Sequence, residues 1–497
     1  MIKQNIYSKK VWVWIIGCFI LFLFIFKILT RHDNFSYTID SIPNNYTALS
    51  FAYKGGVDFS EFKKNLVAQG LDGIYLENDK SDAGGAFSRS PLAGLLGGPF
   101  FYVSNQMYGI TYKSPLLQSK DGIYYLHVLG KRHASSLVAV SSVLVFLIFF
   151  LIFQSVKMSL FGTFVYSFGT IVYSTAAQGN WQHAASLLFI TAGYLFLSLY
   201  FRKKLTVFLA MFGIFLGLAG AVRITNSVFF LSPLLLFFLK KQHKKIYFAP
   251  VTGFLTILLG WYVLMHIANV PVSYVFEVMR SVKEFNVFNS ILASISLFIS
   301  PNVGLFIFSP IFLLGILGII NFFRTKTNAP TSKNKILRDA VFISIVNVIL
   351  LLIAVCFWWG WDGAYAYGPR LLVEAMPFFT LLTLSGMQYF KTKAISVFGA
   401  VVLSLSFISV LVQFIGVYAW NAEWHMKYDK GGPRLEVAWK TNPSIIPYYL
   451  FQQKTLSTLH LIKQEDKLIL NKNNYFIDII GMKLKLIKRE DIILDKK

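Results

Sequence analysis

The feature that most constrains this fold is a series of long apolar segments separated by short basic stretches. A helix that crosses a bilayer needs about 20 consecutive, mostly apolar residues, and this chain reaches that length repeatedly. Of its 497 residues, 55% are hydrophobic and only 14% are charged. Because this composition is too apolar for a soluble enzyme of such length, the sequence predicts an all-α polytopic membrane protein.

Eleven segments are candidate transmembrane helices. The first, residues 11–29, follows three lysines and begins like a signal peptide. Its length and the lack of a small-x-small cleavage site favour an uncleaved span. The other ten segments lie at about 133–154, 159–176, 183–201, 205–222, 226–239, 246–268, 303–323, 340–358, 371–390 and 394–419. We therefore expect a bundle of about 11 transmembrane helices.

Two polar stretches interrupt or follow this series. Residues 1–420 are predicted to form the membrane domain, with a long outer loop at 32–132, and residues 421–497 a small C-terminal segment with strand-like stretches. Within the loop, residues 91–103 are apolar but too short to cross a bilayer, and their glycines weaken a helix. This stretch is predicted to be re-entrant or to lie on the membrane surface.

The distribution of basic residues predicts the orientation. The net charge of +24 would suggest nucleic-acid binding in a soluble chain. Here the bases form short clusters between apolar segments, so we expect no nucleic-acid partner. With a cytoplasmic N-terminus, eighteen Lys and Arg lie in cytoplasmic segments and four in the short outer loops. Because cytoplasmic loops are enriched in Lys and Arg, this predicts a cytoplasmic N-terminus and an extracytoplasmic C-terminus.

Motifs for cofactors and metals are missing from the sequence. It contains no CxxC or HExxH spacing, no P-loop and no GxGxxG after a strand, so we expect neither a cofactor nor a metal. The longest inner loop, residues 324–339, is too short to fold a nucleotide-sugar domain. A transferase built this way would need an activated donor from the membrane, and a lipid-linked phosphate would meet that need.

With this orientation, the unusual polar and aromatic residues fall on the outer side. They are Asp40 after the first span, Trp181-Gln182-His183, Arg223 with Asn226, Ser300-Pro301-Asn302, and the stretch from Trp358 to Arg370. An aromatic belt at the membrane boundary would explain the rings of the last stretch. It would require neither Asp362-Gly363 nor Gly368-Pro369-Arg370, so we interpret the stretch as part of a site.

Several motifs follow one another in a characteristic order. They are Asp40-Ser41-Ile42-Pro43 leading to Gly55-Gly56-Val57-Asp58, Ser88-Arg89-Ser90-Pro91 with Gly98-Pro99, Gly130-Lys131, Trp181-Gln182-His183, Arg223 with Asn226, Ser300-Pro301 and Gly304-Leu305 with Ser309-Pro310, and Gly368-Pro369-Arg370. Over about residues 10–440 the chain thereby resembles the GT-C superfamily of integral-membrane glycosyltransferases, especially a bacterial branch of glycosyltransferase-like membrane proteins. Asn44-Asn45 depart from the pattern, which has an Arg near the first Asp.

The resemblance implies a GT-C-like fold in a bacterial inner membrane. It also implies transfer of a hexosyl or pentosyl group from a polyprenyl-phosphate-linked donor to a glycan, lipid or protein acceptor on the extracytoplasmic face. Asp40 is the candidate general base for the acceptor hydroxyl. Arg223 and Arg370 are candidates for the donor phosphate, because a guanidinium pairs with phosphate oxygens and stays charged. The candidate substrate contacts are Trp181, His183, Asn226, Trp361, Asp362 and Tyr367.

Simpler roles stay open at this point. Asp40 would also serve as the N-cap of a helix over residues 43–53. Arg370 would pair with Glu374 four residues on, Arg223 would extend toward lipid headgroups, and Asn226 would close a helix end. The alternative function is a lipid-linked oligosaccharide flippase or transporter, whose charged residues would lie near the middle of its spans.

Overall fold

In the computed structural model, apolar helices form a bundle that carries a small β-sheet in its C-terminal segment. The structure describes residues 2–35, 41–57, 62, 91–241, 247–268, 287–324, 332–358, 360–364, 366–390, 395–421, 423–429, 434–439, 443–452, 455–464, 467–478 and 483–494. The helices are α1 (Ile2–Leu29), α2 (Ser41–Lys54), α3 (Leu92–Tyr108), α4 (Lys120–Phe153), α5 (Val156–Phe168), α6 (Ile171–Ser174), α7 (Gln182–Lys203), α8 (Thr206–Val222), α9 (Leu231–Leu239), α10 (Phe248–Ala268), α11 (Val287–Ile299), α12 (Leu305–Phe308), α13 (Leu313–Arg324), α14 (Ser332–Cys356), α15 (Met376–Phe390), α16 (Ile395–Tyr418), α17 (Glu423–Tyr428), α18 (Arg434–Trp439) and α19 (Ile445–Pro447).

Within the described part of the chain, 6 helices are long and apolar enough to cross a membrane. They are Trp12–Leu29, Asp121–Phe153, Gln182–Lys203, Asn334–Cys356, Arg370–Gln388 and Val397–Tyr418. A seventh candidate is the pair Val156–Phe168 and Ile171–Gln178, which is bent by 41°. The other predicted spans correspond to shorter apolar helices, such as Thr206–Val222. The helical class is thus confirmed, and the long apolar helices are compatible with an integral membrane protein, whereas about eleven crossings remain a prediction.

Close backbone contact holds helices α13 and α15 together. A Cβ added at Gly318 would lie 2.2 Å from the carbonyl oxygen of Leu382, and one added at Gly386 would lie 2.1 Å from that of Leu314. Helices in lipid gain no hydrophobic energy from associating, so they rely on small residues that let backbones approach and pack. These two glycines therefore set the distance between the helices.

Glycines have the same effect in the long loop, where helix α3 packs against α2. A Cβ at Gly94 would lie 2.5 Å from Cβ of Thr47, and one at Gly98 would lie 2.6 Å from Cδ1 of Phe51. The apolar stretch predicted at 91–103 is therefore a helix of 17 residues in spite of its glycines. Tertiary packing outweighs the low helix propensity of glycine here.

The C-terminal segment ends in an antiparallel sheet with strand order β1-β2-β3. Its strands are β1 (Thr455–Gln464), β2 (Lys467–Asp478) and β3 (Lys483–Leu494), and they overlap the strand-like stretches of the sequence. Asp33, just after α1, accepts a hydrogen bond from the amide of Leu461 at 2.7 Å and pairs with Arg132 at 2.7 Å. The sheet is thus joined to the end of the first helix, and the all-α class applies to the bundle alone.

The packing of α13 on α15 predicts that Gly386→Ala destabilises the protein. The added methyl group would overlap the Leu314 carbonyl, and overpacking of this kind costs roughly 1–3 kcal/mol. Thermal unfolding in detergent should therefore occur several degrees below that of the wild type. The matched control is Gly399→Ala in α16, where no atom lies within 4 Å of an added Cβ. Equal transition temperatures for both variants would contradict the packing described here.

Candidate functional site

A cavity lies where four segments meet at one end of the bundle. It encloses about 380 Å³ of empty space between the start of α7, the end of α8, the segment after α14 and the turn before α15. Its described lining consists of Trp181, Gln182, His183, Arg223, Trp358, Arg370 and Leu371. Three sequence regions singled out for their polar and aromatic residues therefore meet at this cavity.

Glu374 is the ionic centre beside this cavity. It is 1% exposed, and its Oε1 accepts a hydrogen bond from Nη1 of Arg223 at 2.8 Å. The same oxygen lies 2.9 Å from Nδ1 of His183, and Nη1 of Arg223 lies 2.8 Å from that nitrogen. Because an unpaired buried charge is strongly unfavourable, these partners are what allow the carboxylate to be buried.

Charge, rather than distance, favours one hydrogen-bonding pattern for His183, in which its 2.8 Å contact with Arg223 is not a hydrogen bond. A carboxylate can only accept hydrogen bonds, and a guanidinium can only donate them. With its hydrogen on Nδ1, the imidazole donates to Glu374, and Arg223 donates to the same oxygen. Both short contacts to the carboxylate are then hydrogen bonds. Nε2 of the neutral ring carries the lone pair and can accept a hydrogen bond.

Arg370 supplies the second guanidinium of the cavity. Its residue is 8% exposed, and Cζ lies 5.2 Å from the centre of the Trp181 ring, within the range of a cation–π interaction. Gly363 packs against its aliphatic part, since a Cβ added there would come within 2.9 Å of Cγ of Arg370. Gly363 also has a φ of +80°, which other residues disfavour. Glycine is therefore required here for both space and backbone conformation.

Breaks in the helices place both arginines at the end of the bundle. Arg223 follows α8 in an extended conformation, with φ −146° and ψ 118°, and a 3-10 turn at Ile224–Phe230 comes next. Gly368, with a φ of +81°, and Pro369 precede the 3-10 turn Arg370–Ala375. The Gly-Pro-Arg motif thus acts as the entry into α15.

The cavity combines positive charge with aromatic surface. The guanidinium groups of Arg223 and Arg370 belong to its described lining, and the carboxylate of Glu374 pairs with the first of them. Guanidinium groups bind phosphate and carboxylate oxygens through paired donors. The indoles of Trp181 and Trp358 add flat apolar surface. The arrangement suits an anionic group that is attached to a ring or an apolar chain.

A second cavity of about 520 Å³ lies among α4, α7, α14 and α15. Its described lining is apolar apart from hydroxyl groups, such as those of Thr191 and Tyr194. It contains more empty space than the cavity at the end of the bundle, but the described residues that line it carry no charge. The charged side chains that could attract an anion line the other cavity.

Four of the predicted substrate contacts lie outside the described lining of the charged cavity. Asn226 donates to Oγ of Ser186 and to the carbonyl of Ala219, both at 2.9 Å, and so closes the end of α8. Tyr367 is buried and donates to the carbonyl of Val412 at 2.8 Å. These hydrogen bonds fit the helix-end role that the sequence left open for Asn226.

The other two are Trp361 and Asp362, which belong to the segment after α14. Trp361 is buried in the main hydrophobic core. Asp362 is 4% exposed, and its Oδ2 lies 3.1 Å from Nη1 of Arg434 in the C-terminal segment. Trp361 is thus packed in the core and Asp362 is paired within the protein. Their contact with a substrate stays a prediction.

The candidate base Asp40 lies outside the described residues, as do Asp58, Glu77, Asp79 and Asp82. The helix expected over residues 43–53 is α2, which begins at Ser41. In its first turn, Asn44 donates to the carbonyl of Asn180 at 2.8 Å. The helix that follows Asp40 in sequence therefore contacts the residue that precedes Trp181 of the cavity.

The pair Asn44-Asn45, which departs from the family pattern, is buried. A Cβ added at Gly130 would lie 2.2 Å from Oδ1 of Asn45, so the side chain of Asn45 fills the space beside this glycine. The larger side chain of an arginine would not fit there without a rearrangement. The predicted phosphate contacts therefore remain Arg223 and Arg370.

Glu374 is the residue whose role the sequence analysis missed. It was considered only as a helical partner of Arg370, whereas its carboxylate contacts Arg223 and His183. One signal for it did exist, since an acid within an apolar segment is rare and is usually paired or functional. The identity of its partners, however, depends on contacts between distant helices.

Fold and site together define the class of this chain, a helical membrane protein with a charged cavity at one end of its bundle. No protein-family model matches the sequence, and no curated protein matches it at a significant level.

The pairing of Glu374 predicts that Glu374→Gln strongly destabilises the protein. The substitution leaves Arg223 without its carboxylate, and breaking a buried ion pair costs roughly 3–5 kcal/mol. Thermal unfolding in detergent measures the loss. The control is Asp339→Asn, where the Asp339 and Lys240 side chains are more exposed, at 11% and 26%, so that water compensates more of the lost pairing and the loss should be smaller. Equal losses in the two variants would contradict a special role for Glu374.

The C-terminal segment should loosen at acidic pH because of His425. Burial, with a further effect of the charge on Arg370, lowers the pKa of His425 to about 3, and a hydrogen bond to the backbone of Ala366 opposes this shift. The folded state therefore binds fewer protons, so its stability is full above pH 6.5 and falls as the pH drops toward 3. At pH 5 the loss is about 2 kcal/mol.

Hydrogen-exchange protection at residues 423–429, corrected for the intrinsic rate, measures this loss between pH 7.5 and pH 5. We expect protection to fall about 30-fold in the wild type if local opening exposes His425. His425→Gln should remove the pH dependence. Unchanged protection in the wild type at pH 5 would contradict the argument.

Proposed function

We propose that this protein is a GT-C-type glycosyltransferase that moves a hexosyl or pentosyl group from a polyprenyl-phosphate-linked donor to an acceptor on the extracytoplasmic face of a bacterial inner membrane. One observation carries the proposal: Arg223 and Arg370, from segments far apart in sequence, meet at one cavity with Trp181 and His183. A phosphate attached to both a sugar and a lipid chain needs this combination of charge and flat apolar surface.

The two arginines are proposed to have unequal tasks. Glu374 accepts from Arg223 and so partly neutralises it, while Arg370 lies over the Trp181 ring. Arg223 would therefore add directed donors from its remaining N–H groups, and Arg370 would donate from its position over the indole. Both would stabilise the leaving phosphate as its negative charge develops.

The proposed reaction is a direct displacement at the anomeric carbon. Asp40 takes the proton of an acceptor hydroxyl, whose oxygen forms the new bond to the anomeric carbon. The bond from that carbon to the phosphate oxygen breaks, and its electron pair leaves with the polyprenyl phosphate. A single displacement inverts the configuration at this carbon. Carbohydrate rings pack well on indoles, which is the proposed contribution of Trp181.

The finer points of the architecture belong to the same proposal. We propose a GT-C-like bundle with about 11 crossings, a cytoplasmic N-terminus and an extracytoplasmic C-terminus. The excess of Lys and Arg in alternate loops supports this orientation. The position of the charged cavity at one end of the bundle supports an enzyme over a flippase or transporter, because the latter needs polar groups near the middle of its spans.

Mass spectrometry of cell-envelope glycans and turnover in nanodiscs together test the proposal. Cells without the protein should lack one glycosylated product. Given envelope acceptors extracted from those cells, the purified protein should transfer the sugar and release polyprenyl phosphate from one donor in a panel of hexosyl and pentosyl donors. Asp40→Asn should lower turnover at least 100-fold, because general base catalysis contributes roughly 10²- to 10⁴-fold. Arg370→Gln should raise KM and lower kcat together.

Arg324→Gln serves as the control, since Arg324 is exposed at the end of α13 and away from the cavity lining. This variant should turn over like the wild type. An unchanged glycan profile, with no release from any donor, would contradict the proposed function. Wild-type turnover in Asp40→Asn would move the base to another residue.

A further inference from the structure

We infer that the C-terminal segment is part of the site and that Arg434 is a positioning residue for Arg370. This inference rests on the proposed function for its consequence in catalysis, while its structural basis is independent of that function. We call residues 423–429, 434–439 and 443–449 the clasp, and we call the described residues 358, 360–364 and 366–370 the aromatic hairpin.

The clasp is fixed to the bundle by several hydrogen bonds. The amide of Asn302, between α11 and α12, donates to the carbonyl of Val437 at 2.8 Å and accepts from the backbone N–H of Ile445 at 3.0 Å. Nε1 of Trp439 donates to Oγ of Ser296 at 2.6 Å. The clasp is therefore anchored on α11 and the turn that follows it, away from the hairpin.

From this anchorage the clasp reaches the hairpin through Arg434. Its Nη1 lies 3.1 Å from Oδ2 of Asp362 and 4.0 Å from Oδ2 of Asp429. Both carboxylates are buried, at 4% and 2% exposure. Two buried acids so close together repel each other, and burial and the charge on Asp362 both raise the pKa of Asp429. Arg434 offsets this repulsion and draws Asp362 toward the clasp.

Asp362 in turn limits the position of Arg370, because it is hydrogen-bonded beside Gly363. Oδ1 of Asp362 accepts a hydrogen bond from the backbone N–H of Ala364 at 3.3 Å. Gly363 therefore lies between two residues that this hydrogen bond joins. Gly363 in turn packs on the aliphatic part of Arg370. Arg370 is thus held between the Gly363 backbone and the Trp181 ring. A substitution at Arg434 would therefore alter the position of the Arg370 guanidinium through Asp362 and Gly363.

His425 gives the clasp a second contact beside the hairpin. It is 4% exposed, it is hydrogen-bonded to the backbone of Ala366, and it lies close enough to Arg370 for the two charges to interact. Because a neutral imidazole adds no charge here, it does not repel the guanidinium of Arg370. Clasp residues therefore contact the hairpin at both Asp362 and Ala366.

Two measurements on the full-length protein test this inference. The first is hydrogen exchange at residues 360–371, which reports the hairpin directly. The second is the affinity for polyprenyl phosphate without a sugar, measured by native mass spectrometry in detergent micelles. Arg434→Gln should raise exchange in the hairpin at least tenfold and weaken lipid binding about tenfold. Arg434→Lys should retain most of both, because it keeps the charge.

Two further variants separate positioning from general damage to the fold. Gly363→Ala crowds Arg370 from the hairpin side and should weaken lipid binding about tenfold while exchange in residues 423–439 stays as in the wild type. The charge reversal Asp362→Arg with Arg434→Asp should recover part of the affinity that Arg434→Gln loses. Arg324→Gln should behave as the wild type in both measurements.

Unchanged hairpin exchange in Arg434→Gln would overturn the inference. So would wild-type affinity in Arg434→Gln when Arg370→Gln has lost it. If the wild-type protein itself does not bind polyprenyl phosphate, the proposed function fails. The exchange measurement then still decides whether Arg434 holds the hairpin, so the two failures are distinguishable.

Discussion

The end of the bundle depends on one buried carboxylate, that of Glu374. Moving a carboxylate out of water costs several kcal/mol even after the surrounding protein relaxes. Glu374 is stable where it is because Arg223 and His183 supply hydrogen bonds from the ends of two other helices. The three segments must therefore meet at the same depth. This requirement fixes the relative positions of α7, α8 and α15, and hence the walls of the charged cavity.

Because of this pairing, the two arginines are held in place in different ways. Part of the charge of Arg223 is used within the protein, on Glu374. Arg370 is positioned instead by packing, between the face of an indole and the backbone of a glycine. A cation–π contact orients a guanidinium without removing its charge. The cavity thus presents one guanidinium whose direction is fixed by an ion pair and another whose position is fixed by packing.

The sequence predicted the class of fold and the regions of the site, but not the pairings within it. Hydropathy is a local property, so long apolar segments such as residues 133–154 and 371–390 could be located without knowledge of their neighbours. The arginines were noticed because they stand at the ends of such segments. Local spacing favoured Arg370 as the partner of Glu374, whereas Arg223 lies 151 positions away in the chain. Only the packing of helices determines which distant residue reaches a given carboxylate.

For the same reason, local sequence patterns could not predict the contacts of the C-terminal segment. Its strands could be recognised from alternating residues, yet nothing in residues 421–452 pointed to Asp362, which lies 72 positions before Arg434. Two of its attachments to the bundle are Asp33, at the start of the long loop, and Asn302, beside the clasp. Both attachments are hydrogen bonds to backbone groups, which depend little on the identity of the strand or clasp side chain. The bundle can therefore hold this segment in place even where its sequence resembles no familiar pattern.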